Sequence, residues 1–297
     1  MQTILVPIDF TAAAENALIY ANKLALRLPA EIVLVEGSCG TALTPEQRAA
    51  RLNRLRALAE RLRYHQLTRQ KGRRINYHYH LVADALADGL QVLVAGYHAD
   101  LVVAGLTLTD CAASTAAGAP FSLLPEQVSC PVLIVPPGHH ELPTQVAVSG
   151  DFAHFDVRRL AGLTDFGRTA SAHFDLVQFY SPARTGLTPL KKALLAARAH
   201  LRSATIHLLP EEDALEDLSE FCARRNVQLL VLAKVDGCLL RRFFNPQYVT
   251  TNAYHLRVPV LLLPTSSLPT AAGCAQCNLR RAAQAHRLVQ SAVLFTE

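Results

Sequence analysis

Few side chains in this sequence stand at spacings that chemistry requires. Cys274-Ala-Gln-Cys277 is a CxxC pair. A structural zinc site takes four ligands, yet no second CxxC exists and the nearest later histidine is His286. A redox CxxC opens a helix that follows a strand. Here a helical stretch, 278–293, follows the pair, but no strand leads into it. Two small residues at a helix start are the plainer alternative. His78-Tyr-His80 puts two imidazoles on one face of a strand with no third ligand in view. Arg48, Arg51 and Arg54 recur every three residues and form one stripe on a helix. A phosphate surface and a solvated face both fit that stripe, but residues 1–144 balance 12 basic against 12 acidic side chains. No aromatic residues interleave the arginines as base stacking would need. His139-His140 lies in a Pro/Gly-containing stretch and reads as solvated. Ser149-Gly150-Asp151 lacks the further Gly and Ser of a pyrophosphatase-type loop. No nucleophile elbow, Walker loop, HExxH or dinucleotide fingerprint occurs, so an enzyme reading has little support.

The elements that must position these residues are short and evenly placed. The chain has 297 residues, 51% hydrophobic and 18% charged, which is a core-forming composition with a prior of two domains. Its net charge of +5 points neither to nucleic acid nor to an anionic membrane. Seven cysteines, an odd number, are no disulfide scaffold. Strands are expected at 3–8, 32–35, 75–82, 101–104 and 131–136. Helices are expected at 12–28 with Thr11 as N-cap, 44–70 with a capping box, 84–98 and 121–128. Mostly apolar strands alternating with helices indicate a doubly wound parallel sheet covered on both faces.

After a linker the pattern restarts. Ile8-Asp9-Phe10 matches Gly150-Asp151-Phe152, and Asp100–Gly105 matches Gln228–Ala233. Cys130–Pro136 matches Val258–Pro264, and both Gly105 to Pro131 and Ala233 to Pro259 span 26 residues. Equal spacing between matched motifs argues for duplication better than either motif alone. Strands are expected at 145–148, 174–179, 204–208, 228–232 and 260–263, and helices at 154–169, 187–201 and 211–225.

Ile4-Leu5-Val6-Pro7-Ile8-Asp9-Phe10-Thr11 with its Ala-rich helix resembles the opening of universal stress protein (UspA-type) domains. Ala99–Gly105 resembles that family's fourth strand and Cys130–Pro136 its fifth, and the second half repeats all three in weaker form. The resemblance implies two five-stranded parallel sheets of order 3-2-1-4-5 and a tandem member of the family. It also implies a nucleotide seat at the switch point between strands 1 and 4. There a carboxylate lies near the adenosine and a Gly-x2-Gly-x9-Gly-Ser/Thr loop wraps the phosphates. Onto that seat fall Pro7, Ile8, Asp9, Gly105 and Gly118. The second glycine position holds Leu108, the hydroxyl position holds Ala119 before Pro120, and Asp110 puts a like charge in the loop. In the second half the four loop positions hold Ala233, Asp236, Pro246 and Gln247, none matching. Asp9 either contacts a ligand or caps the first helix; Asp151 reads as a cap.

The resulting expectation is a cytoplasmic, non-catalytic tandem universal stress protein acting through a partner or small ligand. Its domains would be 1–137 and 145–264, with a linker at 138–144 and a C-terminal loop and helix at 265–297. No resident cofactor is expected. The alternatives are ATP or AMP in the first domain only, with a weak ATPase activity left open, and a metal- or redox-responsive role for Cys274 and Cys277. Nucleic-acid and membrane partners are not expected. A homodimer or internal pseudo-dimer is, with the fifth strands of the two halves meeting antiparallel because an apolar edge needs a partner.

Overall fold

The computed structural model describes residues 2–37, 43–65, 74–82, 86–105, 128–138, 140–155, 160, 163, 171–181, 186–201, 203–210, 214–232 and 258–264. In the first half, β1 (Gln2–Pro7), α1 (Ala12–Arg27), β2 (Ala30–Gly37), α2 (Pro45–His65), β3 (Tyr77–Val82), α3 (Leu86–Gly96), β4 (Leu101–Gly105) and β5 (Val132–Val135) follow in order. The second half runs β6 (Gln145–Ser149), β7 (His173–Tyr180), α4 (Leu187–His200), β8 (Ala204–Pro210), α5 (Ala214–Arg224), β9 (Leu229–Leu232) and β10 (Val260–Leu262).

All ten strands join one sheet of order β3-β2-β1-β4-β5-β10-β9-β6-β7-β8. Each half therefore has the expected 3-2-1-4-5 order, and every pairing within a half is parallel. The seam is β5 against β10, antiparallel, with Leu133 opposite Leu261. The two fifth strands meet as expected and bury each other's apolar edges. The two outer edges of the sheet are β3 and β8.

Alternating side chains send each strand's residues to two cores. One contains Ile4, Val6, Leu34 and Val146 with Leu18 of α1, Leu55 of α2 and Leu194 of α4. The other contains Leu5, Val33 and Val102 with Leu90 of α3 and Leu218 of α5. Both continue across the seam, through Leu133 and Leu261 on one face and Ile134 and Val260 on the other.

Element bounds differ from the sequence reading mostly by a residue or two, as frayed ends do. One start is different in kind. His154 and Phe155 lie in a turn rather than a helix. Asp151 accepts from the Ala153 N–H and from His154 Nδ1, which closes a tight loop where the helix would begin. The connection between the halves is also pinned. Lys23 Nζ donates to the His140 carbonyl at 2.6 Å and pairs with Glu141, and Asn16 Nδ2 donates to the Pro136 carbonyl. His140, expected to be solvated, packs edge-on against Tyr20 and donates to the Pro136 carbonyl. The expected helices at 121–128 and 278–293, the CxxC pair, Gly118 and all four second-half loop positions lie outside the described residues, apart from Val128 itself.

Candidate functional site

The candidate seat lies at the carboxyl ends of β1 and β4, where the two right-handed windings of the first half diverge. Ile4 pairs with Leu101 and Leu5 with Val102; extending that register brings Ile8 level with Gly105. Pro7 and Ile8 are buried, so they offer backbone to the seat while their side chains pack inward. The Ile8 N–H is spent on the Val35 carbonyl at 2.7 Å.

Asp9 is exposed. Its Oδ1 accepts from the Thr11 N–H at 2.9 Å and from the Thr11 hydroxyl at 2.6 Å. Thr11 is the N-cap of α1, its Oγ1 accepting from the Ala14 N–H. Asp9 thus orients the cap rather than being it, and its Oδ2 has no hydrogen bond among the described residues. Between them Phe10 holds a left-handed backbone, φ 60°, which costs a non-glycine residue about 1–2 kcal/mol. Arg54 Cζ lies 3.7 Å from the centroid of the Phe10 ring, a cation–π contact that holds the turn.

Gly105 has a structural reason to be glycine. A Cβ there would lie 2.3 Å from the Ala13 carbonyl oxygen and 2.4 Å from its carbon. The first turn of α1 crosses β4 so closely that any side chain would collide with backbone. The residue that the phosphate-loop pattern claims is therefore needed for helix–sheet packing whatever binds above it.

Sequence reasoning missed the acid beside this seat. Glu36, near the end of β2, follows Ile32 and Leu34 onto the face that α2 covers. It is 8% exposed; Oε1 lies 3.4 Å from Arg51 Nη1, and Oε2 is buried without a hydrogen-bond partner among the described residues. Burial raises its carboxyl above the ordinary range, while Arg51 and Arg54 pull the other way. The arginine stripe is thus not simply solvated. Arg51 meets Glu36, Arg54 covers Phe10, and the Arg48 charge adds to burial in lowering the basicity of His80 on β3. A charged residue closing the apolar run Ile32–Val35 was the available signal. Its partner, 15 residues on in another element, was not.

In the second half the matching aspartate is self-occupied. Asp151 Oδ1 accepts from Ala153 and Oδ2 from His154 Nδ1 at 2.6 Å. Burial works to raise its carboxyl, but the His154 contacts outweigh it and hold the carboxyl below its usual range. The histidine pair on β3 does not converge with a third ligand. His78 Nε2 lies 3.3 Å from Glu31 Oε2, and His80 stacks edge-on against Tyr97. No group of three potential metal ligands occurs among the described residues. None of their helices is long and apolar enough to cross a membrane.

No curated protein sequence matches the chain. Among solved structures, a universal stress protein from Archaeoglobus fulgidus aligns over 88% of this chain and 98% of its own, with TM-score 0.59 and 12% identity. A putative universal stress protein from Pseudomonas aeruginosa aligns over 89% and 93%, with TM-score 0.54 and 15% identity. The cytoplasmic domain of a prokaryotic cation chloride cotransporter aligns over 89% and 95%, with TM-score 0.50 and 11% identity. At such identities these likenesses speak to the fold, which extends over both halves. The family model described as Universal stress protein family matches residues 1–136. Through those residues the first half of the chain is similar to the universal stress protein family, and the second half repeats the same strand order.

Proposed function

We propose that this chain is a non-catalytic stress-response protein of the cytoplasm that works by binding a small ligand or a partner, with its ligand seat in the first half only. The observation that carries this reading is the contrast between two matched aspartates. Asp9 is exposed and keeps Oδ2 available beside Gly105, whereas Asp151 spends both oxygens on its own turn. Arg51, Arg54 and the unpaired Glu36 oxygen add charge of both signs on the β2 side of the seat. ATP and AMP are the ligands that the family resemblance suggests. Leu108, Ala119 and Pro120 leave few phosphate-facing donors, and each missing charge-assisted bond is worth about 1.5–3 kcal/mol. ATP should therefore bind weakly or not at all. Among the described residues Asp9 is engaged with the cap of α1 and Asp151 with its own turn, which favours binding over an ATPase.

Native mass spectrometry of the purified full chain, followed by calorimetry with ATP and AMP, tests this. The expected result is at most one nucleotide per chain, held no tighter than micromolar and lost in Asp9→Ala. Two nucleotides per chain, or sub-micromolar ATP affinity, would overturn it.

A further inference from the structure

The two halves share backbone but not chemistry on the face covered by α3 and α5. Both helices have 11 residues. Their last N–H bonds correspond one for one: Tyr97 to Leu93, His98 to Ala95 and Ala99 to Val94, against Arg225 to Phe221, Asn226 to Ala223 and Val227 to Cys222. His98 and Asn226 even share a left-handed backbone. This correspondence places Asp217 where the first half has Gly89, and Arg225 where it has Tyr97. Strand registers place Asp175 at Val33, His207 at His80 and Leu209 at Val82.

These exchanges open a cavity. In the first half a Cβ on Gly89 would lie 2.1 Å from Val82 Cγ1, so the glycine lets α3 lie directly on β3. Asp217 against the larger Leu209 cannot keep that spacing. Between α5 and the edge strand β8 there is a cavity of about 480 Å³, whose walls include Phe179, His207, Leu209, Phe221, Arg224 and Arg225. That volume lies in the range of small-ligand sites and suits about a dozen non-hydrogen atoms.

A buried hub organises its polar end. Asp175 is fully buried and accepts from Gln145 Nε2, from His207 Nε2 at 2.9 Å, and from Arg225 Nε and Nη2 at 3.2 and 3.1 Å. An ionised carboxylate only accepts, so His207 donates through Nε2, and its Nδ1 is left without a partner among the described residues. Arg225 Nη1 is likewise unpaired there. Arg224 adds a second cation, held among the described residues by an exposed pair with Glu220 that a ligand can displace at little cost. Asp217 lies two helical turns from Arg224, about 10 Å along the axis, and keeps anions to the arginine end. The apolar middle is made by Phe179, Leu209 and Phe221, with the Phe221 ring edge-on to His207 at 4.9 Å.

We propose that this cavity is a second ligand site, separate from the β1–β4 seat, and that it takes a small aromatic carboxylic acid. The carboxylate meets Arg224 and Arg225, the ring packs between the phenylalanines, and a hydroxyl beside the carboxylate hydrogen-bonds to His207 Nδ1.

Calorimetry on the full chain with phenyllactate, hydrocinnamate (no hydroxyl) and phenylpropanol (no carboxylate) tests the assignment. Phenyllactate should bind best, hydrocinnamate several-fold weaker, and phenylpropanol weakest. Arg224→Gln should weaken both acids about tenfold, the worth of one charge-assisted bond, and leave phenylpropanol unchanged. Leu209→Trp should fill the cavity and abolish binding of all three. Should that variant fail to fold, Arg224→Gln decides by itself. Phenylpropanol binding as tightly as the acids, no binding of either acid at millimolar concentration, or displacement of phenyllactate by saturating AMP would each overturn the proposal. The last result would leave the β1–β4 seat standing and only this one refuted.

Discussion

Replacing Arg225 with Met should cost more stability than replacing its fully buried partner Asp175 with Val. Asp175 receives four hydrogen bonds, two of them from Arg225. Arg225→Met leaves a buried carboxylate facing Gln145, His207 and, at 3.7 Å, His173. Breaking a fully buried ion pair from one side costs about 3–5 kcal/mol. The Arg225 side chain is 43% exposed, so water can replace part of what is lost, and about 2–3 kcal/mol is the expected value. Asp175→Val removes the anion instead. Its donors sit nearer the surface and can turn to water, and the first half carries valine at the same place, so about 1 kcal/mol is expected. The double variant Asp175→Val/Arg225→Tyr restores the first half's residues and should recover to within about 1 kcal/mol of wild type, a coupling that a double-mutant cycle reads directly. Urea unfolding at neutral pH is the assay.

An acid titration adds an independent check on the same hub. Burial works to raise the Asp175 carboxyl, but hydrogen bonds from Arg225 and His207 outweigh it and hold the carboxyl below its ordinary value. The stabilisation is therefore complete above the unfolded carboxylate's pKa of about 3.9 and is lost as pH falls through the lowered folded value. Arg225→Met removes most of what depresses the carboxyl, so the variant should lose less stability than wild type as pH falls below the unfolded value. If Asp175→Val proves costlier than Arg225→Met, the hub is a net source of stability and the reasoning fails.

Gly105→Ala should lower stability by about 2–4 kcal/mol with no ligand present, because its Cβ meets backbone that cannot move alone; an unchanged melting temperature would refute the packing account. Leu261→Lys should split the seam opposite Leu133 and expose two apolar edges, read as aggregation or a melting temperature lowered by several degrees. Glu36→Gln should stabilise the chain slightly at neutral pH. Its folded pKa is raised, so the wild type loses stability as pH rises from the unfolded value through the folded one, and a pH–stability profile of the variant should lack that fall. Cys130 and Cys222, whose thiols burial pushes up to about 12, should resist alkylation in the native chain and react only on unfolding.

Much of the architecture is legible in the sequence because it depends on local or periodic features. Apolar runs four to eight residues long, helical spacing between them and Thr11 before an Ala-rich stretch specify strands, helices and a cap one element at a time. The equal intervals from Gly105 to Pro131 and from Ala233 to Pro259 reveal the duplication, and two apolar fifth strands need each other's edges. The candidate seat is legible only as a location. Asp9 and Gly105 are where the pattern puts them, yet the roles the structure gives them, orienting Thr11 and admitting α1, depend on distances that the sequence does not carry.

Tertiary structure alone decided the pairings between residues far apart in the chain. Glu36 with Arg51, and Asp175 with Gln145, His207 and Arg225, follow no period and leave no spacing to recognise. A lone charge in each apolar run announced that a partner was needed, because a buried carboxylate is too costly unpaired. Which partner it finds depends on how neighbouring strands and helices are brought together. The exchange of Gly89 for Asp217 shows the same limit. In sequence it is one helical residue for another, and only the contact with Val82 shows that glycine keeps one helix down on its sheet, while the aspartate of the other half lines a cavity.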